Sequence, residues 1–361
     1  MQRSHKIRIY PNAEQAKILR QHVGGARFVY NWGLEHWKQW AEDKKNGVRD
    51  DNPNWIKLFR VWMQERPDWG VTIPSSVLTY SLKHLNTAYA NHFKLGSGWP
   101  KFKKKGARDS FKSTAQKCYI RKDGKHVHIV GVKTDIRMAE ELRFKGKTIS
   151  YCVSVVGDKW YMSVQVETGD TRTASDSTVG VDVGMKTHAV CSDGTTLTLP
   201  TEQLRRLESR CRKAQRRYSR RKKGSRRRYK ALRRKQRIQE RINNIRLDRI
   251  HKFTSAVCKN HATVVIEDLN AAGMHRNGYR NIRKGMQRSC MSEVLRQLSY
   301  KAINLVVADR WYPSTQLCSN CGARQKMELT ERVYNCPHCG LSLDRDLNAA
   351  INLSKYPGSQ G

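Results

Sequence analysis

A chain of 361 residues with 38% hydrophobic content, seven Phe, fourteen Tyr and nine Trp carries enough apolar side chain for two or three folded domains, which excludes general disorder. Seventy Lys and Arg against thirty-one Asp and Glu leave a formal charge of +39, and self-repulsion on that scale calls for a polyanion, of which nucleic acid is the usual one. The N-terminus has no apolar signal core and no apolar run reaches the ~18 residues a membrane helix needs. The expected setting is therefore the reducing cytoplasm, associated with nucleic acid and away from membranes, where paired Cys-x-x-Cys motifs mean metal and not disulfides.

Residues 5–10 alternate as a short strand does, and Pro11-Asn12 ends it. From about 13 to 95 the pattern is helical: Val29, Gly33, Trp37 and Trp40 fall at helical spacings, as do Leu78, Leu82, Leu85 and Tyr89. Seven of the nine tryptophans lie in the first hundred residues, which reads as a helical bundle with an aromatic core. Arg27, Tyr30 and Asn31 are candidate nucleic-acid contacts within it. A basic, glycine-punctuated connector follows at 96–111, and Lys101 and Lys103 beside Trp99 and Phe102 suit a phosphate backbone. From 112 to 170 short strands dominate, including 125–130 and 159–167, so a small antiparallel barrel or sheet is expected, joined by the first strand.

Thr- and Ser-rich residues 169–177 mark a domain boundary. A strand then begins at Thr178 and turns at Gly184, the chain returns through His188–Cys191, and Asp193-Gly194 turns it again into 195–199. Three antiparallel strands, a helix, a lone strand at 263–267 and another helix follow the order of an RNase H-like domain. Between them, residues 201–250 hold twenty-two Lys and Arg against four Asp and Glu. Leu204, Leu207, Cys211, Ala214 and Tyr218 keep helical spacing there, and Gly224-Ser225 breaks the segment into a helical hairpin. Like charges four residues apart destabilise a helix, so this density needs a counterion. Arg220, Arg221, Lys222, Lys223, Arg226, Arg227 and Arg228 are the candidate phosphate contacts.

The strongest metal signal is Cys318-x2-Cys321-x14-Cys336-x2-Cys339. Two such knuckles offer four thiolates to one tetrahedral zinc, with Gly322 and Gly340 allowing the tight turn after each. Four sulfurs close the site to substrate, so one structural Zn2+ is expected. The remaining six cysteines read as small apolar residues. Acidic residues make a second, separate pattern. Asp182 sits inside an apolar strand, where an unpaired acid is costly unless a cation compensates it. Glu267 closes Val264-Val-Ile, and Asp344 and Asp346 stand at the start of a helix, where one of the two is an ordinary N-cap. Three or so carboxylates are what two-metal phosphodiester hydrolysis requires, with hard oxygen ligands suiting Mg2+. Spacing alone leaves the choice between Asp344 and Asp346 open.

Gly180-Val-Asp182-Val-Gly184-Met-Lys, Val265-Ile-Glu267-Asp268-Leu269-Asn270, Tyr312-Pro-Ser-Thr-Gln-Leu-Cys318-Ser-Asn-Cys321-Gly and Asp344-Arg-Asp346-Leu-Asn348-Ala-Ala resemble the TnpB family. These are insertion-sequence-encoded, RNA-guided DNA endonucleases related to type V CRISPR effectors. Arg27-Phe-Val-Tyr30-Asn31 and Pro100-Lys-Phe-Lys add to the resemblance, which runs over nearly the whole chain.

The resemblance implies an α/β multidomain protein. A wedge β-barrel would comprise 1–10 and 112–172, and a helical recognition domain 11–111. An RNase H-like (RuvC) nuclease domain would span 176–312, with its basic hairpin at 201–243, and resume at 343–361 around a zinc-binding insert at 313–342. It further implies catalytic Asp182, Glu267 and Asp346, the last chosen because the family pattern is Asp-x-Asn-Ala-Ala. Two Mg2+, one Zn2+ and a guide RNA would be the cofactors. The partners would be that RNA and double-stranded target DNA with a short flanking motif, and a monomer is favoured. Its alternatives are an RNA-guided repressor that does not cut, and a transposition accessory protein.

Overall fold

The computed structural model describes the chain except residues 107–108, 170–174, 186, 270–284, 286–287, 329–330 and 358–361. Most of the linker expected at 169–177, and the motif residues Lys186 and Asn270, lie outside the described residues. The chain divides into two compact units, one of Met1–Asp170 with Ala214–Arg237 and one of Thr171–Lys213 with Ile238–Gly361. No helix among the described residues is long and apolar enough to cross a membrane.

The first unit begins with β1 (Gln2–Tyr10), whose His5, Ile7 and Ile9 face inward while the residues between them are polar and exposed. Helix α1 (Ala13–Lys45) starts at a capping box in which Asn12 and Gln15 each accept the other's backbone N–H, both at 2.9 Å. The helical region read as continuous to residue 95 is divided into α2 (Trp55–Glu65), α3 (Asp68–Val71) and α4 (Ser75–Leu95). Pro53, Pro67 and Pro74 stand at the breaks, where each disfavours helix for the residue before it.

Strands β2 (Ser110–Thr114), β3 (Tyr119–Ile120), β4 (His126–His128), β5 (Ile136–Met138), β6 (Lys147–Val156) and β7 (Lys159–Glu167) join β1 in an antiparallel sheet of order β2-β6-β7-β1-β5-β4-β3. The first strand therefore does return to this sheet, pairing with β7 from Gln2↔Glu167 to Ile9↔Trp160 and with β5 on its other side. The ladder does not close on itself, so the expected barrel is a curled half-barrel. Its last strand, β3, is two residues long, too short to carry the ladder around. Helices α1 and α4 cover the sheet through one apolar core that includes Val29, Leu82, Phe111 and Trp160.

The second unit is built on a five-stranded sheet of order β10-β9-β8-β11-β12. Strands β8 (Thr178–Asp182), β9 (Ala189–Cys191) and β10 (Thr196–Leu197) are antiparallel to one another. After the helices α5 (Thr201–Ser219) and α6 (Arg226–Asn260), strand β11 (Thr263–Glu267) lies parallel to β8. Helix α7 (Met291–Lys301) then leads to β12 (Asn304–Ala308), parallel to β11. Sequence reading passed over β12, whose Leu305-Val-Val run is too short to separate from a helix by periodicity. A hairpin of β13 (Val333–Asn335) and β14 (Ser342–Asp344) precedes the last helix, α8 (Arg345–Ser354).

Candidate functional site

Asp182 and Glu267 end neighbouring parallel strands whose last paired residues are Val181 and Ile266. The two acids therefore stand side by side at the carboxyl edge of the sheet. Side chains at one register position of parallel strands project to the same face, so a pair of acids here is built into the ladder. Ligands of open α/β sheets are held at this edge.

The third acid arrives on α8, which packs against β8. A Cβ built at Gly180 would stand 2.0 Å from the Ala350 carbonyl oxygen and 2.5 Å from the Ser354 nitrogen. Only glycine lets the helix press this closely on the strand, and that approach brings the first turn of α8 to Asp182. Electrostatics records the convergence. Burial, then the neighbouring Asp346 carboxylate, then Glu267, push the Asp182 carboxyl up to about 7, against a lowering by Arg345 and a backbone N–H. Burial also raises Glu267.

The two helix-start acids separate cleanly in space. Asp344 is the N-cap of α8: its exposed carboxylate accepts the N–H groups of Asp346 at 2.9 Å and Leu347 at 3.1 Å. Asp346, with a side chain 15% exposed, is the acid that Asp182 feels. Between them Arg345 holds its Nε 3.6 Å from Asp346 Oδ1 and donates through Nη1 to the Glu328 carbonyl at 3.3 Å. Asp268, next to Glu267, is exposed and paired with Arg310 at 2.6 Å.

Asp346 and Asp182, the two acids that the Arg345 guanidinium reaches, and Glu267 beside Asp182 carry negative charge that a small hard cation would compensate, and carboxylate oxygens are the donor type Mg2+ takes. Among the described residues only the cysteine ligand atoms all lie within 4.8 Å of one another, so the acids offer the oxygen donor type that a divalent ion takes in a more open arrangement.

The four cysteines form a second, softer donor set. Sγ atoms of Cys318, Cys321, Cys336 and Cys339 all lie within 4.8 Å of one another. The pairs Cys318–Cys339 and Cys321–Cys336 are each 3.6 Å apart. A zinc–sulfur bond of ~2.3 Å in a tetrahedron sets its edges near ~3.8 Å, so the cluster has the size of one tetrahedral ion. Each knuckle closes through its glycine: Gly322 and Gly340 donate to the carbonyls of Cys318 and Cys336 with φ of 75° and 71°, where a side chain would strain the turn. Tyr334 is fully buried beneath the cluster, its hydroxyl donating to the Gln316 and Ala323 carbonyls.

Sequence reading missed how the cluster is fastened to α8. Asn348 and Asn352 lie four residues apart on one face of the helix, 0% and 4% exposed. Asn348 accepts the Ser319 N–H at 2.9 Å and donates to the Leu317 carbonyl at 2.7 Å. Asn352 donates to the carbonyls of Ser314 at 2.8 Å and Leu317 at 2.7 Å. Lys355 adds a bond to the Ser319 carbonyl. Two buried amides at helical spacing in an otherwise apolar turn were the available signal, since such groups are retained only when bonded.

The remaining candidate contacts sit in the first unit. Arg27 pairs with Asp109 at 3.2 Å, and Asn31 exchanges hydrogen bonds with the Lys103 backbone at 2.7 and 3.0 Å. Tyr30 is 6% exposed, with the Lys103 ammonium 3.8 Å from its ring centre. That tucked end of an otherwise exposed side chain is desolvated, which pulls Lys103 down to about 8. These residues pin the connector to α1, and Lys101 projects from it into solvent. At the turn of the basic hairpin, Arg220, Arg221, Lys222, Lys223, Arg226 and Arg227 are exposed. Arg228 instead braces the turn, donating to the carbonyls of Tyr218 and Arg221 with its guanidinium 4.1 Å from the Tyr218 ring centre.

Fold and site together define a basic, mixed α/β protein with a zinc-ribbon-like four-cysteine cluster fastened to the helix that carries Asp346. Family models match in three stretches: OrfB of IS605-type elements, "Probable transposase", over 161–278, the "Cas12f1-like, TNB domain" over 292–353, and a "Helix-turn-helix domain" over 1–45. Over this last stretch the structure has one strand and one unbroken helix. A Streptomyces pristinaespiralis protein named "Putative RNA-guided DNA endonuclease" is 33% identical over 98% of this chain and 89% of its own length. An Escherichia coli K12 protein, "Putative RNA-guided DNA endonuclease InsQ", is 30% identical over 96% and 90%. The chain belongs to the TnpB family of insertion-sequence proteins. Its fold resembles that of Cas12f1 solved in complex with sgRNA and target DNA, with a TM-score of 0.54 over 98% of both chains at 14% identity.

Proposed function

We propose that the protein is an RNA-guided DNA endonuclease of a transposable element, with its second unit an RNase H-like nuclease domain of the RuvC type. The convergence of Asp182, Glu267 and Asp346 carries this reading. Strand order β10-β9-β8-β11-β12, with acids at the ends of β8 and β11 and on α8 packed against β8, supports it. So do the names of the two full-length relatives.

The three carboxylates would hold two Mg2+, which when bound activate water and stabilise charge on the scissile phosphodiester. The protein's own part is to keep the acids on two rigid strands and one helix turn. Arg345 limits their repulsion before metal arrives. The products would carry a 5′-phosphate and a 3′-hydroxyl. The cysteine cluster would hold one structural Zn2+.

Sequence choice would come from base pairing with a guide RNA, the protein reading backbone shape and a short flanking motif. The half-barrel unit would grip the guide scaffold, the helices over 11–111 would meet the flanking duplex, and the exposed cations at 220–227 with Lys101 would contact phosphates. With such partners the working protein would sit in the cytoplasm with the nucleoid.

The test is a purified guide-loaded complex incubated with a matching plasmid in Mg2+, with EDTA as control. Cleavage should fall at least about a thousandfold in Asp182→Ala while guide and target binding persist. Wild-type cutting by that variant would remove the assignment. Binding without cleavage in the wild-type complex would leave the repressor reading.

A further inference from the structure

Helix α4 ends in an aromatic column that is buried at one end and bare at the other. Trp37 and Tyr89, 9% and 5% exposed, stack at 4.3 Å with their planes 8° apart. Tyr89 continues to Phe93 at 6.4 Å and to Trp99 at 6.3 Å. Trp99 folds back over His92, ring centres 3.8 Å apart, and meets Phe93 edge-on at 6.0 Å.

The reversal that makes this possible is fixed. Gly96 takes φ of 62° to end the helix, and Ser97 returns its N–H to the Asn91 carbonyl and its own carbonyl to His92 Nδ1. Yet Phe93 is 70% and Trp99 61% exposed. Two large rings are thus held in place by ring contacts from below with their outer surfaces in water, an arrangement that core packing does not explain.

Charge identifies what would cover them. Between Asp68 and Asp109 the sequence has no acidic residue and seven Lys and Arg. Lys94, Lys101, Lys104 and Lys105 lie exposed close by in the chain. A second copy of this chain would bring the same cations against one another, because a two-fold contact repeats each patch. A polyanion that also offers flat apolar rings meets both demands. Bases in duplex DNA are stacked inside the helix, whereas a folded RNA presents unpaired bases in loops, which proteins stack on aromatic side chains.

We infer that Phe93 and Trp99 form a stacking platform for an unpaired base of the guide RNA, with the neighbouring lysines on its flanking phosphates. This rests on the RNA-guided reading and adds to the 11–111 region, beside its proposed contact with the flanking duplex, a guide-RNA site at the end of α4.

The experiment purifies wild type, Phe93→Ala, Trp99→Ala and Trp99→Tyr, then titrates each, stripped of RNA, with the transcript that co-purifies with wild type. Because both rings are largely exposed, melting temperatures should stay close to wild type. Each alanine should weaken RNA binding about tenfold and Trp99→Tyr should restore most of it, as stacking on one base predicts. Transcript carrying 4-thiouridine should crosslink to the 89–99 segment, read by mass spectrometry.

Equal RNA affinity in the alanine variants overturns the platform and leaves RNA guidance intact. Absence of any RNA on the wild-type protein overturns both. Loss of target-DNA affinity with unchanged RNA affinity, or a dimer that the alanines dissociate, assigns the surface to another occupant and equally overturns the inference.

Discussion

The two clusters of candidate ligands in the second unit, sulfur and carboxylate, are built in opposite ways. The four cysteines lie within twenty-two residues of chain, and two local turns bring them together. The three carboxylates are drawn from residues 182, 267 and 346, and Asp182 comes near the other two because β8 and β11 lie in register and α8 presses on Gly180. A local cluster can form as soon as its own segment folds around an ion. A dispersed one exists only when the whole domain has formed, and its acids repel one another until a cation arrives. The difference is also one of chemistry: closed soft sulfur on one side, hard oxygen on the other. Asn348 and Asn352 join the two, so the local cluster sets the helix that carries the third acid of the dispersed one.

The sharpest contrast is between two acids two residues apart. Asp346→Ala should lower cleavage about a hundred- to thousandfold with little change in stability, because Asp346 lies beside Asp182. Asp344→Ala should cost about 1 kcal/mol of stability as a lost N-cap while cleavage survives. Denaturant unfolding and a cleavage time course measure both, and equal loss of cutting in the two variants would break the distinction.

Next in size is the fastening between the regions. Cys318→Ser should abolish stoichiometric metal in the module, read by elemental analysis, and lower the melting temperature. Asn348→Ala should keep the zinc yet weaken the carboxylate site by about ten- to a hundredfold in Mn2+ affinity, as loss of a supporting hydrogen-bonding group does at metal sites. An unchanged Mn2+ titration in that variant would mean the two regions are independent.

A smaller effect lies in pH. With its pKa raised to about 7 in the fold, against ~3.9 when unfolded, Asp182 holds a proton that the unfolded chain releases. Metal-free stability should therefore fall as pH rises from about 4 to 7, the reverse of a salt-bridged carboxylate. Mg2+ should raise the melting temperature more at pH 8 than at pH 5. Asp182→Asn should stabilise the metal-free protein at pH 8 by on the order of 2 kcal/mol and lose that Mg2+ response. Equal Mg2+ gains at both pH values would show that the acids do not share a cation.

Much of this was legible along the chain. The Cys-x-x-Cys pairs announce a cluster because ligands and turns are contiguous, and the alternation of 159–167 gives β7 its residues without shift. The barrel expectation became a half-barrel because closure depends on how far edge strands reach, which periodicity does not record. Strand β12 went unseen because a five-residue apolar run has no period of its own.

Arg27, Tyr30 and Asn31 read along the chain as candidate nucleic-acid contacts, and the fold turns them toward the connector, where they meet Asp109 and Lys103. Arg228 was likewise indistinguishable from its neighbours until the turn gave it two carbonyls to hold. A run of like charges says how much cation a segment carries, and only the turn geometry decides which of them remain free for a partner.

By itself, then, the sequence determined the charge of the molecule and the sulfur donor set. It also determined the apolar strands that end in acid, since composition and short-range spacing suffice for each. The choice of Asp346 over Asp344 rests on family resemblance; tertiary structure adds that Asp344 caps the helix while Asp346 lies beside Asp182, and that Asn348 ties the cysteine cluster to the helix carrying Asp346. Those placements depend on which residues, far apart in the chain, share a few ångströms of space. The close approach of α8 to β8 over a single missing side chain, at Gly180, sets that distance.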